Sequence, residues 1–188
     1  MKYKQLVKEL KAQGKGLMSI GQYMRCAELI EIMSPCNLLV FGVGQDSYVW
    51  TEINEKGKTV FLEDDHVWAG KFNEFDVRNV VYHTEGKDHE KIGFDESKLK
   101  IQLPKDVMET SWDVVFIDGP LGHNPPRPYK GPGRMSSIYM GHKLLKTGGV
   151  AIVDDMGRLI ERTYSEHYFG KENLMGLVEG KVGFYKKV

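Results

Sequence analysis

A doubly wound α/β sheet, closed by an antiparallel hairpin at its carboxyl end, is the fold class that this 188-residue sequence predicts. Three observations predict it. Short runs of branched and aliphatic residues, each the length of a buried strand, alternate with segments of helical apolar spacing. Several runs end in a glycine or an acid, as strands do when their carboxyl ends face a ligand crevice. The last segment, LMGLVEGKVGFYKK, instead reads as two strands turning through Glu179 and Gly180.

Residues 3–12 carry Leu6 and Leu10 at helical spacing, and Gly14 and Gly16 end the segment. SIGQYMRCAELIEIMS (19–34) is a second helix, with Ser19 as its N-cap and Pro35 just past its end. Leu38 to Phe41 form the first strand. After a glycine turn, SYVWTEINEKG reads as a helix closed by Gly57, and KTVFLEDD as a second strand running into three acids. HVWAGKFNEF (66–75) reads as helix and NVVYHTE (79–85) as a third strand. Residues 86–111 are charged and weakly patterned, with a short strand expected inside DESKLKIQLP. WDVVFIDGP is the clearest buried strand and ends at Asp118. GPLGHNPPRPYKGPG (119–133) follows, nine of its 15 residues Gly or Pro, so it is an ordered loop or lid. RMSSIYMGHKLLKTGG is a helix stopped by Gly148 and Gly149, VAIVDD a fifth strand and RLIERTYSEHYF a last helix.

The length suits one domain, residues 1–188, with two amino-terminal helices (1–34) against a core from 36 to 188. Lysine plus arginine and aspartate plus glutamate each number 26, so no net charge draws the chain toward nucleic acid or an anionic membrane. Cys26 and Cys36 have neither metal-ligand nor disulfide-framework spacing and are expected as buried thiols. The charged amino terminus does not read as a signal peptide, and no apolar run reaches membrane-spanning length. A cytoplasmic location is the expectation.

LLVFGVGQDSYVW (38–50) carries the first chemical signal. Gly42 and Gly44 suit a tight turn at a strand end, but Ser47 stands where a dinucleotide fingerprint has its third glycine. Asp46 would repel a pyrophosphate. Glu63, 21 residues beyond Gly42, ends the second strand and suits both hydroxyls of an adenosine ribose. Asp118 ends the fourth strand on the same crevice. Read blandly, the glycines form a plain turn and Asp118 caps a helix or anchors a loop. Three acids or glycine turns at three strand ends favour a cationic nucleoside, S-adenosylmethionine, over a dinucleotide. The expected cofactor set is Gly42, Gly44, Gln45, Asp46, Glu63, Asp64, Asp118 and Gly119.

From about Ser19 onward, PCNLLVFGVGQDSYVW, TVFLEDD, WDVVFIDGPLG, PGRMSSIY and DDMGRLIERTYSEHYF stand in the order and spacing of a known family. The chain resembles the glucuronoxylan 4-O-methyltransferase family, also called the polysaccharide biosynthesis or DUF579 domain. That resemblance implies a Rossmann-like class I methyltransferase fold and methyl transfer from S-adenosylmethionine to O4 of glucuronic acid side chains. Plant members of the family carry an amino-terminal membrane anchor, whereas this sequence starts at the catalytic domain. Gly119-Pro120 replaces the family's Ala-Pro pair, and Asp154 stands where a histidine is expected.

Methyl transfer to a hydroxyl needs alignment and a proton acceptor. Asp118 and His123 are the candidates, although a loop histidine is often only solvated. A pattern similar to catechol-type O-methyltransferases would place Mg or Mn on Asp118, Asp154 and Asp155. The bland reading has Asp155 capping a helix and Asp154 pairing with Arg158 or Arg162. Arg134, with Arg127 and Lys130, is expected to clamp an acceptor carboxylate. Tyr129 and Trp68 are stacking candidates, Trp68 equally a core residue, and Met135 and Met140 read as packing. The partner is therefore a glycan or small-molecule acceptor. Two further classes stay open: alkyl transfer on a small molecule that releases methylthioadenosine, and a non-catalytic binding module. A NAD-linked oxidoreductase is disfavoured by Ser47 and Asp46.

Overall fold

The computed structural model describes residues 2–122 and 131–188. Strands β1 (Asn37–Phe41), β2 (Lys58–Glu63), β3 (Val77–Asn79), β4 (Trp112–Ile117), β5 (Leu145–Val153), β6 (Leu174–Val178) and β7 (Val182–Lys186) form one sheet. Their order is β3-β2-β1-β4-β5-β7-β6. The first five run parallel, and β7 lies antiparallel to both β5 and β6. The sequence order reverses between β1 and β4, the switch point at which open α/β sheets leave a crevice.

Residues alternate along each central strand between two apolar layers. Leu39, Phe41, Val115, Ile117, Ala151 and Val153 face one, packed under helices α8 (Met135–Leu144) and α9 (Leu159–Ser165). Leu38, Val40, Val114, Phe116, Val150 and Ile152 face the other, under α1 (Lys2–Ala12), α2 (Ile20–Met33) and α3 (Ser47–Ile53). Both faces are buried, so the strands read as unbroken apolar runs. A capping box starts α2: the Ser19 side chain accepts from the Gln22 N–H while the Gln22 side chain accepts from the Ser19 N–H. Cys26 and Cys36 are free and buried, as expected.

The register positions the site. Leu62 pairs with Phe41, Phe41 with Ile117, and Ile117 with Val153, in one row across four strands. The next residue of each strand is Glu63, Gly42, Asp118 or Asp154. Backbone bonds carry the ladder one step further: Gly42 N–H donates to Leu62 O at 2.7 Å, Asp118 N–H to Phe41 O at 3.0 Å, and Asp154 N–H to Ile117 O at 3.0 Å.

Four local expectations differ from the structure. The third strand spans Val77–Asn79 rather than 79–85, because the chain leaves the sheet after Val80. Thr84 and Gly86 bond instead to Pro132 and Gly131, at 3.1 and 2.9 Å. Inside DESKLKIQLP the structure has a helical turn, α6 (Glu96–Leu99), capped by Asp95, not a strand. The helix expected over 66–75 is one turn, α4 (His66–Ala69), closed at Gly70. Gly148 and Gly149 do not stop α8, which ends at Leu144; they lie within β5 and bond to Lys187 across the sheet. The closing hairpin does turn through Glu179 and Gly180, whose φ values of +52° and +67° suit a tight two-residue turn.

At the switch point two backbones touch. A Cβ added to Gly119 would lie 2.8 Å from both Cα and N of Gly42, and Gly42 itself has φ +102°. Gly119→Ala and Gly42→Ala are therefore each expected to cost about 1–3 kcal/mol through overpacking and strain. Urea midpoints at unchanged slope would read this; a neutral Gly119→Ala would mean that the two turns can separate freely.

Candidate active site

The glycine turn is built from both sides. Glu63, 9% exposed, accepts from the Val43 N–H at 3.0 Å through Oε2. Its Oε1 accepts from the Asp64 and Asp65 N–H groups, both at 3.1 Å. Burial raises its carboxyl pKa, opposed by these backbone donors. The Gly44 N–H donates to Ser47 Oγ at 3.0 Å. Trp68 donates its indole N–H to Val43 O at 2.7 Å and packs with Phe72 and Phe75, so it serves the turn and the core together. Asp46 is half-buried and accepts from the Tyr23 hydroxyl at 3.1 Å, which fixes the carboxylate against α2. Gln45 and Asp64 are exposed beside the turn.

Across the crevice, Arg134 is 6% exposed and lies between the ends of β4 and β5. Its Nη2 sits 3.1 Å from Asp118 Oδ1 and 3.2 Å from Asp155 Oδ2, and its Nη1 sits 3.8 Å from Asp154 Oδ2. It also donates to the carbonyls of Pro120, Asp154 and Asp118, at 3.2, 3.2 and 2.9 Å. Asp118 keeps a third of its side chain exposed, and its Oδ2 accepts no hydrogen bond from the described residues. Burial pushes the Asp118 carboxyl well above the ordinary range, against the pull of Arg134 and with that of Asp154.

Gly42, Gly44, Asp46, Glu63, Asp118 and Gly119 thus come together as the sequence suggested. Asp118, Asp154 and Asp155 also converge, but on the guanidinium of Arg134. A divalent cation there would meet a fixed positive charge, and among the described residues no group of three or more His, Cys, Asp or Glu side chains is placed to hold a metal. The residues do not fit the Mg or Mn expectation. His123, Arg127, Tyr129 and Lys130 lie outside the described residues. Met135 and Met140 are core residues, as read from the sequence. Among the described residues no helix is long and apolar enough to cross a membrane.

Sequence reading passed over Tyr23 and Glu161, and offered Arg158 as a partner for Asp154, whereas it pairs with Asp155. Glu161 is fully buried, neither of its oxygens has a hydrogen-bond partner among the described residues, and Arg158 Nη1 lies 3.6 Å away.

Removing Arg134 would leave three carboxylates without their shared counter-charge. Arg134→Met is expected to lose about 3–5 kcal/mol of stability, the scale for breaking a buried pair. A chemical denaturation midpoint within experimental error of wild type would exclude this role. Glu161 makes a pH-dependent prediction. Burial raises its folded pKa above its unfolded value. Its proton therefore favours the folded state, and stability is lost as pH rises from the unfolded pKa, about 4.3, through the folded one. Glu161→Gln keeps the shape without the titration, so its advantage over wild type should grow across that window and vanish below it. Urea midpoints at a series of pH values would test this; a constant difference between the two proteins would contradict it.

A protein-family profile described as IRX15/IRX15L/GXM matches residues 23–93 and 78–184. Glucuronoxylan 4-O-methyltransferase 2 of Arabidopsis thaliana is 36% identical over 162 residues, covering 73% of this chain and 54% of that protein. Protein IRREGULAR XYLEM 15 of the same plant is 33% identical over 190 residues, covering 84% of this chain and 57% of that protein. The chain spans about half the length of the curated relatives it matches. Among solved structures, the T. thermophilus 16S rRNA N2 G1207 methyltransferase in complex with AdoMet and guanosine superposes with a TM-score of 0.56 at 16% identity. That match covers 92% of this chain and 44% of the other, and it shows a shared fold. With the profile spanning most of its length, this chain belongs to the IRX15/IRX15L/GXM family.

Proposed function

We propose that the protein is an S-adenosylmethionine-dependent O-methyltransferase acting on a hydroxyl of a glucuronic acid or related sugar. One observation carries the choice of ligand. Two backbone N–H groups of the glycine turn are already spent, Val43 on Glu63 and Gly44 on Ser47. With Asp46 beside them, the turn repels a pyrophosphate and suits a nucleoside bearing positive charge. The names of the relatives, which include glucuronoxylan and arabinogalactan O-methyltransferases, support the acceptor class.

Glu63, oriented by three backbone donors, holds the ribose hydroxyls, and the close contact of Gly42 with Gly119 sets the two turns that flank the ligand. Asp46 and Asp118 flank the cationic end. When bound, the cofactor supplies a methyl group made electrophilic by its sulfonium. The protein aligns the acceptor hydroxyl and takes its proton at Asp118 Oδ2, whose raised pKa makes it a stronger base than an ordinary aspartate. In this scheme Arg134 positions Asp118 and does not itself read the acceptor, because its guanidinium is committed to three aspartates.

Glu63→Ala is expected to weaken S-adenosylmethionine binding by about 1.5–3 kcal/mol, the scale of a charge-assisted hydrogen bond. Calorimetry on the folded variant would test it, and unchanged affinity would remove Glu63 from the ribose site. Product analysis tests the reaction: S-adenosylhomocysteine with a methylated uronate is the expected outcome. Methylthioadenosine would indicate alkyl transfer, and binding without turnover would indicate a binding module.

A further inference from the structure

We infer that Arg158 is the side chain that reads a negative charge on the acceptor. The inference rests on the methyl-transfer reading only for the identity of that acceptor. Arg158 follows the β5 acids Asp154 and Asp155 and stands at the start of α9, at the carboxyl end of the sheet. Its Nη1 is held 2.8 Å from Asp155 Oδ2. Asp155 Oδ2 in turn lies 3.2 Å from the Arg134 Nη2 that touches Asp118. The guanidinium is therefore three ion-pair links from the group proposed to take the proton.

Three features separate it from an ordinary surface arginine. Glu161, buried and without a hydrogen bond among the described residues, backs the guanidinium from the protein side. Gly122, at the neck of the Pro/Gly loop, has no side chain, and a methyl there would overlap Arg158 Nη1. Among the described residues nothing bonds its Nε or Nη2, and a quarter of the side chain is exposed. These two donors form one edge of a planar fork, the geometry that matches a carboxylate with two parallel bonds. Arg134 offers no such edge, being 7% exposed at its side chain with its donors spent. The remaining negative charge of the cluster does not forbid an anion, since S-adenosylmethionine brings net positive charge to the same crevice.

The test compares two ligands with the full chain loaded with a non-transferring S-adenosylmethionine analogue that keeps the positive charge at the sulfonium position. One is an oligosaccharide bearing glucuronic acid; the other is the same oligosaccharide with its carboxylate reduced to the alcohol. Calorimetry should show wild type preferring the charged form by about 10- to 100-fold, as a charge-assisted contact implies. Arg158→Ala and Arg158→Gln should erase that preference while leaving binding of the reduced form and of the analogue unchanged. Arg158→Lys should restore only part of it. No preference in wild type, a preference that survives Arg158→Ala, or equal losses for both ligands would overturn the assignment. Methyl transfer is scored separately with S-adenosylmethionine. An enzyme that discriminates through Arg158 yet transfers no methyl would sink the methyltransferase reading and leave this one standing. Transfer with a charge preference indifferent to Arg158 would do the reverse.

Discussion

Three aspartates leave neighbouring strand ends close together, and the fold tolerates them because the Arg134 guanidinium lies among them, within 3.1–3.8 Å of each. Buried like charges without a counter-ion would either protonate or force the strands apart. The same cation ties down the carbonyls of Asp118, Pro120 and Asp154, so it fixes backbone as well as charge. Asp155 shows how much this arrangement holds in place. Its φ of +62° is unusual for a residue with a side chain, and its ion pairs to Arg134 and Arg158 keep it there.

The other half of the crevice depends on backbone rather than charge. A single row of paired residues brings Gly42, Glu63, Asp118 and Asp154 to the same level, and Gly42 and Gly119 then meet without side chains between them. That close contact leaves Val43 N–H beside Glu63 and Gly44 N–H beside Ser47. Two N–H groups of a turn that superficially resembles a phosphate-binding motif are thereby taken up by side chains of the protein.

The Pro/Gly loop joins the two halves. Its described ends meet at a neck where Gly133 N–H donates to Leu121 O at 3.3 Å, and Gly131 O accepts from Gly86 N–H at 2.9 Å. On one side the neck follows Asp118, and at Gly122 it rests on Arg158. The neck thus runs from Asp118 to the Arg158 guanidinium, and the ion pairs through Arg134 and Asp155 join the same two residues.

Sequence by itself determined the sheet, the glycine turn, the acids at its strand ends and the hairpin at Glu179-Gly180. These depend on apolar runs, on local turn chemistry and on residues adjacent to strand ends, all of which are short-range properties of the chain. Sequence was less reliable where the chain leaves the sheet. Val80 to Glu85 alternate like a strand because Val80 fills the core, while Tyr82 and Thr84 bond through their hydroxyls to Ser137 and Pro132, far along the chain. Only the tertiary structure decided what each charged side chain faces. Arg134 read as an acceptor clamp and is a buried counter-ion; Arg158 read as a partner for Asp154 and instead pairs with Asp155, with the buried Glu161 behind it. The character of an ionisable group is set by its burial and by the charges within a few ångströms, and here those charges arrive from β4, β5 and α9 by long-range folding.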